Sequence, residues 1–578
     1  MCIRDSNKGP YWHAEIKNLD EGCIYAFRVK QKNNEINNNY EKKVLLDPCS
    51  RGITGWGSYK RENALKNQEN TNSCLKSVVC DRKLFNFKDY PRPKHSWEET
   101  IIYELHIKAF TESTDKDESC FKKFLKKIPY LKELGITTIE LLPIFCFDPT
   151  DAPNGLKNFW GYSQINWFTP HFEYLSNESA EKNREEFRRF VEECHKADIE
   201  VILDVVYNHT CEGDSKGPAI SWKGIDENLY YFIGKDKNYQ DVSGCGNTIA
   251  ANRGLVRKLI IESLKCWASE LGVDGFRFDL GIALSRGENL SPLDNPPIFE
   301  DIECEPELID IKFISEPWDC GGLYKLGDFP SKNTFTWNGH FRDDLRRFWK
   351  GDKDTAWNMS DKIKGTPSIY KEDNIFPKSI NFITSHDGFT LKDLVTFNRK
   401  HNFANREQNR DGDNHNNSWN HGTEGPTTNL LINDLRKRQQ KNLILSLLIS
   451  KGVPMILMGD EIGRSQGGNN NSWCQNNLLG WMNWEHGQQD LELLEYFKYV
   501  IKIRKKLINI FNPSFFPNNQ TNENIPTYHW HGTKLDSPDW SSWSHTVAFS
   551  INKDNANPLV WIGLNAYSKS IDFPLPKC

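Results

Sequence analysis

The chain has 578 residues, of which 38% are hydrophobic and 26% charged, with a formal net charge of -5 and a pI of about 6.3. This length predicts one large domain with one or two satellites, and the slightly acidic balance argues against nucleic acid or an anionic membrane as a partner. No apolar run reaches the ~18 residues of a membrane-spanning helix, and the first residues lack the apolar stretch of a signal peptide.

The cysteine pattern indicates a reducing compartment. There are 15 cysteines, an odd number, and their spacing contains no CxxC pair. A disulfide framework or a zinc site would more often show an even count or a regular spacing. We therefore expect reduced thiols in a cytoplasmic protein, without a zinc site.

The N-terminal region shows strand-like runs. The segments 23–29 and 43–48 are apolar and have turn residues between them, whereas residues 51–97 are polar and irregular. This pattern predicts a partial β-sandwich followed by a linker within residues 1–97, although the run is short for a complete sandwich.

From residue 101 onward, apolar strand runs alternate with amphipathic helices. The predicted strands cover 101–107, 137–144, 200–208, 272–280, 311–316, 379–385 and 453–459, and the predicted helices cover 119–134, 181–197, 254–271 and 433–450. Continuous apolar strands separated by helices indicate a buried parallel sheet, which predicts a (β/α)8 barrel over residues 98–510. The sixth strand falls somewhere between 323 and 370 without a clear position, and the polar loop 398–426 fits neither helix nor strand.

The C-terminal region returns to an alternating pattern. A helix over 489–507 is predicted to close the barrel, and strand-like alternation follows at 526–532, 545–551 and 558–566. These runs predict an antiparallel β-domain over residues 511–578. We expect both end domains to be incomplete, because each has few strands for a closed sandwich.

Four acidic residues lie at or near the ends of predicted strands. Asp204, Asp279, Glu316 and Asp387 lie in the segments DVVYNHT, DGFRFDLG, FISEPWD and INFITSHDGF. The carboxyl ends of parallel barrel strands converge on one face, where the active sites of such barrels are built. Three carboxyl groups from three strands suit glycoside cleavage, which needs a nucleophile and a proton donor.

The neighbours of these acids favour a catalytic interpretation. Arg277 is two residues from Asp279, so it points to the same side of the strand, and its fixed charge should keep Asp279 ionised. A structural Arg–Asp pair is the alternative.

Glu316 lies between an apolar strand and Pro317-Trp318. These surroundings should raise its pKa, as the role of proton donor requires. Asp387 precedes glycine, and this dipeptide also suits a turn.

The four acidic segments resemble the four signature regions of the α-amylase superfamily, glycoside hydrolase family 13. Finer motifs are similar to the isoamylase type of starch or glycogen debranching enzyme. They are NFWGYSQINWF at 158–168, SGCGNT at 243–248, SEPWDCGG at 315–322, WNGHFRDDLRRFW at 337–349, SHDGFTLKDLV at 385–395, the loop 401–427 and the segment 459–477. The resemblance covers nearly the whole chain.

The resemblance implies a role for each site residue. Asp279 is the expected nucleophile, Glu316 the general acid and then the general base, and Asp387 a ligand of the sugar at the cleavage point. The expected substrate-binding group consists of Asp204 (as the partner of Arg277), His209, Arg277, His386, Tyr162 and Trp318. No organic cofactor is expected. Asn208 matches a calcium position of some amylases, but no second oxygen cluster accompanies it, so we predict no metal.

The implied activity is hydrolysis of α-1,6 branch linkages, with retention, in glycogen, amylopectin or limit dextrin. Two alternatives stay open: a family 13 hydrolase or transferase acting on α-1,4 bonds, and a noncatalytic glucan-binding subunit. The long loop 398–426 speaks against the first, and the presence of all three carboxyl groups speaks against the second. Linkage specificity should come from loops over the strand ends, so this loop should border the cleavage point.

Overall fold

The computed structural model describes most of the chain. The described ranges are 4–8, 11–16, 19–30, 40–112, 118–176, 178–371, 376–485, 488–511, 527–552 and 558–576.

The strands are numbered in chain order. They are β1 Arg4–Lys8, β2 Tyr11–Glu15, β3 Ile24–Tyr25, β4 Gly52–Thr54, β5 Lys76–Val78, β6 Ile102–Leu105, β7 Thr138–Leu141, β8 Glu200–Val205, β9 Gly275–Phe278, β10 Lys312–Ser315, β11 Thr334–Trp337, β12 Ser379–Phe382, β13 Val453–Leu457, β14 Thr527–His531, β15 Thr546–Asn552 and β16 Pro558–Asn565.

The α-helices are numbered in the same way. They are α1 Arg61–Leu65, α2 Ile107–Thr111, α3 Cys120–Leu125, α4 Ile128–Leu134, α5 Ala180–Lys196, α6 Trp222–Tyr230, α7 Gly254–Lys265, α8 Pro297–Cys304, α9 Gly339–Lys350, α10 Ala356–Ile363, α11 Pro367–Tyr370, α12 Leu391–Leu394, α13 Leu430–Ile449 and α14 Gln488–Phe511. Within the described ranges, no helix combines the length and apolarity needed to cross a bilayer.

Strands β6 to β13 form a closed barrel in chain order, and every neighbouring pair is parallel. The predicted (β/α)8 fold is therefore confirmed. The sixth strand, which the sequence did not locate, is β11 at Thr334–Trp337. Its four residues alternate threonine with aromatic side chains, so no two apolar residues are adjacent in it and no apolar run marks its position.

The predicted helices occur with small differences at their ends. The segment predicted as one helix over 119–134 is two helices, α3 and α4, and Pro129 lies in the first turn of the second. Proline lacks the amide hydrogen that a continuous helix would use, so the chain breaks before it. Gly135 ends α4 with φ 99°, a conformation that glycine adopts without strain.

The barrel interior is filled by apolar side chains below the strand ends. Ile102, Ile202, Ile314, Trp337 and Phe382 belong to one buried cluster contributed by alternate positions on several strands. A second and larger cluster fills the layer between the strands and the helices. This packing closes the lumen and fixes the polar groups that project from the carboxyl ends of the strands.

Antiparallel sheets flank the barrel at both ends of the sequence. β3, β5 and β4 form one sheet, β14, β15 and β16 form another, and β1 pairs with β2. The prediction that residues 51–97 are only an irregular linker is wrong, because β4, α1 and β5 lie there. Residues 512–526, where the C-terminal domain was predicted to begin, lie outside the described residues. The domain boundaries at 97/98 and 510/511 stay predictions.

The N-terminal sheet region is joined to the barrel by a buried ionic cluster around Glu270. Arg51 Nη2 lies 2.7 Å from Glu270 Oε1, and Arg184 Nη2 lies 2.6 Å from Glu270 Oε2. Arg184 is fully buried, and Arg51 and Glu270 are nearly so. The carboxylate balances two guanidinium groups that would otherwise be desolvated without a counter-charge.

We therefore expect Glu270→Ala to lower the free energy of unfolding by about 3–5 kcal/mol, because it leaves two buried cations unpaired. Urea unfolding measures this change. The matched control is Glu69→Ala, which breaks the exposed Arg28–Glu69 pair and should cost at most about 1 kcal/mol. Equal effects of the two variants would show that the Glu270 cluster does not stabilise the fold.

Candidate active site

Arg277 is the central charge of the site. It faces Asp204 across neighbouring strands, since the two residues are register partners on β9 and β8. Its Nη1 lies 2.7 Å from Asp204 Oδ2 and 3.4 Å from Asp279 Oδ1, and its Nη2 contacts Glu316 Oε1. The guanidinium also lies over the Trp337 ring at 4.1 Å. One buried cation thus holds three carboxyl groups together.

Glu316 and Asp279 differ in their surroundings. Glu316 is buried and accepts a hydrogen bond from the Leu280 amide at 2.8 Å. Burial raises the pKa of Glu316 to about 7, although the Arg277 charge acts in the opposite direction. The Asp279 carboxylate instead accepts a hydrogen bond from Asn208 Nδ2 at 2.7 Å. Asn208 also binds the Asp279 carbonyl at 2.7 Å, so it fixes this residue at two points.

His386 and Tyr162 form the opposite wall. Their rings stack with centroids 5.3 Å apart, and the Tyr162 hydroxyl lies 3.0 Å from His386 Nε2 and donates to Asp204 Oδ2 at 2.5 Å. His386 Nδ1 lies 2.6 Å from Glu104 Oε1. Burial disfavours the imidazolium, but the Glu104 charge outweighs it and raises the pKa of His386. Next to it, burial raises the pKa of Asp387, and the His386 charge opposes this.

The structure brings all of the predicted site residues to the carboxyl ends of the barrel strands. A cavity of about 1020 Å³ opens there. The predicted residues that line it are Tyr162, His209, Asp279, Glu316, Trp318, His386 and Asp387. Asp204 and Arg277 lie buried beneath it, so they act on the cavity through Tyr162, Asp279 and Glu316. Burial raises the pKa of Asp204 to about 6 against the effect of Arg277.

Two further residues position the site. Glu104, on β6, holds His386 through both its ring and its backbone amide, at 2.6 and 2.8 Å. Asn208 was considered only for calcium, yet its amide orients Asp279. In the described part of the chain, no cluster of three or more His, Cys, Asp or Glu is arranged as a metal site. An acid on the first barrel strand was the one available signal for Glu104.

The loop 398–426 borders the cavity, as its position after Asp387 predicted. Glu407, Asp411 and Asp413 contribute to the cavity wall, together with Trp473 from the segment after β13. Within this loop, Asn402 is buried and donates to Asn470 Oδ1 at 2.8 Å. This hydrogen bond joins the loop to the segment after β13 and helps to fix its position.

Solved structures with the same fold include two pullulanases. One is from Bacillus acidopullulyticus, with a TM-score of 0.71 at 21% identity. The match covers 100% of the present chain and 65% of that pullulanase. One from Anoxybacillus sp. LM18-11, complexed with maltotetraose, has a TM-score of 0.70 at 19% identity, covering 100% of this chain and 77% of that one. At these identities the similarity concerns the fold.

The barrel, its cavity and the carboxyl groups at the strand ends define a glycoside hydrolase of the α-amylase class, and residues 105–245 match the α-amylase catalytic domain. The chain is 36% identical to isoamylase 1 of Oryza sativa subsp. japonica and 39% identical to isoamylase SU1 of Zea mays, covering 96% and 98% of this chain and 72% and 75% of those proteins. It is 35% identical to the glycogen operon protein GlgX homolog of Haemophilus influenzae, covering 98% and 86%. The chain belongs to the isoamylase-type debranching enzymes of glycoside hydrolase family 13, which act on α-1,6 linkages.

Proposed function

We propose that this protein removes branches from a glycogen- or amylopectin-type glucan by cleaving α-1,6 bonds with retention. The observation that carries this proposal is the shared contact of Arg277 with Asp279 and Glu316, which places two carboxyl groups at one cavity wall. Two such carboxyl groups are the requirement for a retaining glycosidase. A reducing, cytoplasm-like compartment fits the free thiols of the described residues.

In this mechanism Asp279 attacks the anomeric carbon while Glu316 gives its proton to the leaving oxygen. Asn208 and Arg277 orient the attacking carboxylate of Asp279. The positive charge of Arg277 stabilises the negative charge of this carboxylate as the glycosyl ester forms and breaks. Glu316 then takes a proton from water, which attacks the ester and releases the sugar with its configuration retained. Asp387 and His386 hold the hydroxyls of the reacting sugar, and Tyr162 stacks on its face.

The linkage specificity is tested with purified protein on amylopectin and on linear amylose. Debranching of amylopectin should release linear chains and increase the iodine colour, while amylose stays intact. Falling colour with maltose and short oligomers from amylose would identify an α-1,4 enzyme. Binding of glucan without product from either polymer would identify a noncatalytic subunit.

The pH profile should reflect the proton on Glu316. Because burial raises its pKa to about 7, the carboxyl group is protonated below that pH and loses its proton above it. A general acid works only in its protonated form, so kcat/KM should fall as the pH rises through about 7. Initial rates on amylopectin between pH 5 and 9 measure this limb. A profile that is flat across pH 7 would assign the proton donor to another group.

A further inference from the structure

Two cysteine thiols lie on the wall of the sugar cavity. Cys245 and Cys320 are both exposed, and both line the cavity that contains Asp279 and Glu316. Cys245 belongs to the loop between α6 and α7, and Cys320 follows β10 four residues after Glu316. The roles proposed for the site residues use neither thiol.

The two thiols approach each other through the backbone of the first loop. The Cys320 amide donates to the Val242 carbonyl at 2.9 Å, and its thiol donates to the Ser243 carbonyl at 3.4 Å. A Cβ atom at Gly244 would lie 3.5 Å from Cys320 Sγ. The sulfur of Cys320 therefore packs against the residue that precedes Cys245, so the two cysteines are neighbours on the cavity wall.

The backbone of this loop can adjust at two places beside Cys245. Gly244 and Gly246 flank the cysteine with φ of 77° and 94°, conformations that glycine adopts without strain. Both amides donate to the Asp241 carboxylate, at 3.0 and 2.9 Å. The loop is thus presented in an ordered form with its thiol toward the cavity.

The two thiols have different polar neighbours. Burial acts to lower the pKa of His209, and the neighbouring Cys245 thiol acts to raise it. On balance, the pKa is raised to about 9. Both ring nitrogens of His209 face oxygen acceptors, at 2.5 Å from Asn208 Oδ1 and 3.2 Å from the Tyr162 carbonyl, as in an imidazolium. Burial and then Cys245 raise the pKa of Cys320 to about 11, so this thiol keeps its proton.

We propose that Cys245 and Cys320 form a thiol modification site at the catalytic cavity, which reacts with a low-molecular-weight disulfide such as oxidised glutathione. The Cys245 thiolate attacks one sulfur of that disulfide, forms a mixed disulfide and releases one glutathione thiolate. The Cys320 thiol then gives up its proton and attacks Cys245 Sγ, which releases the second glutathione. Two protein thiols are oxidised to one disulfide, and one glutathione disulfide is reduced to two thiols.

The Cys245–Cys320 disulfide forms at the cavity in which the proposed hydrolysis takes place. Its expected effect on activity therefore rests on that proposed function. The side chain of Asn247 joins the cysteine loop to the segment that carries His209. Its Oδ1 accepts a hydrogen bond from the Thr210 backbone amide, and its Nδ2 donates one to the Thr210 carbonyl, each at 3.1 Å. Closing the disulfide draws Cys245 away from His209 and narrows the cavity beside Asp279. The oxidised form should therefore lose the ability to bind and cleave glucan.

The experiment compares the reduced protein with protein incubated in oxidised glutathione. We expect peptide mapping to show a Cys245–Cys320 cross-link and debranching of amylopectin to fall at least tenfold, with recovery after dithiothreitol. Cys320→Ser should stop at a stable glutathione adduct on Cys245, and Cys245→Ser should lose the cross-link. Each variant is judged by the ratio of its oxidised to its reduced activity, so a changed basal rate does not affect the result. Cys304→Ser, at an exposed cysteine on α8, is the control and should behave as the original protein.

A cross-link that joins other cysteines, or no cross-link, would overturn the proposed modification site. A Cys245–Cys320 disulfide with unchanged activity would overturn its effect on the cavity. Failure of the proposed hydrolysis is recognised separately, because it leaves the reduced protein inactive while the mass of the cross-linked peptide still reports the thiol pair.

Discussion

Asp279→Asn should lower the turnover of amylopectin by roughly 10⁴- to 10⁶-fold, the range seen when a member of a catalytic set is removed from a hydrolase. The amide keeps the size of the carboxylate, and Asn208 can still bind the residue's carbonyl. What is lost is the negative charge that attacks the anomeric carbon. Single-turnover rates and chain sizing of the products measure the change.

The matched control for this variant is Asp310→Asn, at an exposed ion pair with Lys94 far from the cavity. It should leave turnover unchanged. In the original protein, a fluorinated glycosyl fluoride that forms a slowly hydrolysed ester should label Asp279, as peptide mass spectrometry would show. Label on another carboxylate, with near-normal turnover of the asparagine variant, would assign the nucleophile elsewhere.

The parallel barrel could be predicted from the sequence because its strands carry an unmistakable local signal. β13 is a continuous apolar run, β8 contains the apolar run 201–203, and amphipathic helices separate the barrel strands. An apolar run does not mark β11, whose threonines are buried only because the whole barrel surrounds them. Nor does it mark β4 and β5, which have three residues each and pair with one another. Short strands of this kind depend on tertiary contacts that a local pattern does not encode.

The main residues of the site were predictable for a similar reason. Asp279 and Glu316 each follow a strand directly, and Asp387 comes five residues after β12, so the parallel arrangement alone brings them to one face. Arg277 was predicted as a partner of two acids, and the structure adds Glu316 as a third. This third contact depends on the distance between β9 and β10, which cannot be derived from the sequence.

The contributions of Glu104 and of the two cavity cysteines could not be predicted. Glu104 reaches His386 across 282 residues of sequence, because β6 closes the barrel beside β13. Cys245 and Cys320 come from loops whose paths over the strand ends are irregular. Local sequence patterns define strands and helices well, but they do not define which loop residues face each other across a cavity.

Glu316→Gln should slow the hydrolysis of amylopectin by about 10²- to 10⁴-fold, the usual contribution of general acid catalysis. The glutamine retains the size of the side chain and can still accept the Leu280 amide hydrogen bond. It cannot transfer a proton to the leaving oxygen, so the glucan chain departs as a poor leaving group. The binding of a branched oligosaccharide should be nearly unchanged, as calorimetry would show.

The loss should depend on the leaving group, and this dependence identifies the role of Glu316. A glycosyl fluoride needs little protonation to depart, so its first step should be slowed far less than that of a natural branch. The second step lacks its base, so the glycosyl ester on Asp279 should accumulate to a level visible by intact-protein mass spectrometry. Glu288→Gln, at an exposed pair with Arg253, is the control and should cleave both substrates normally. An equal loss with fluoride and with glucan would mean that Glu316 positions the sugar and does not donate the proton.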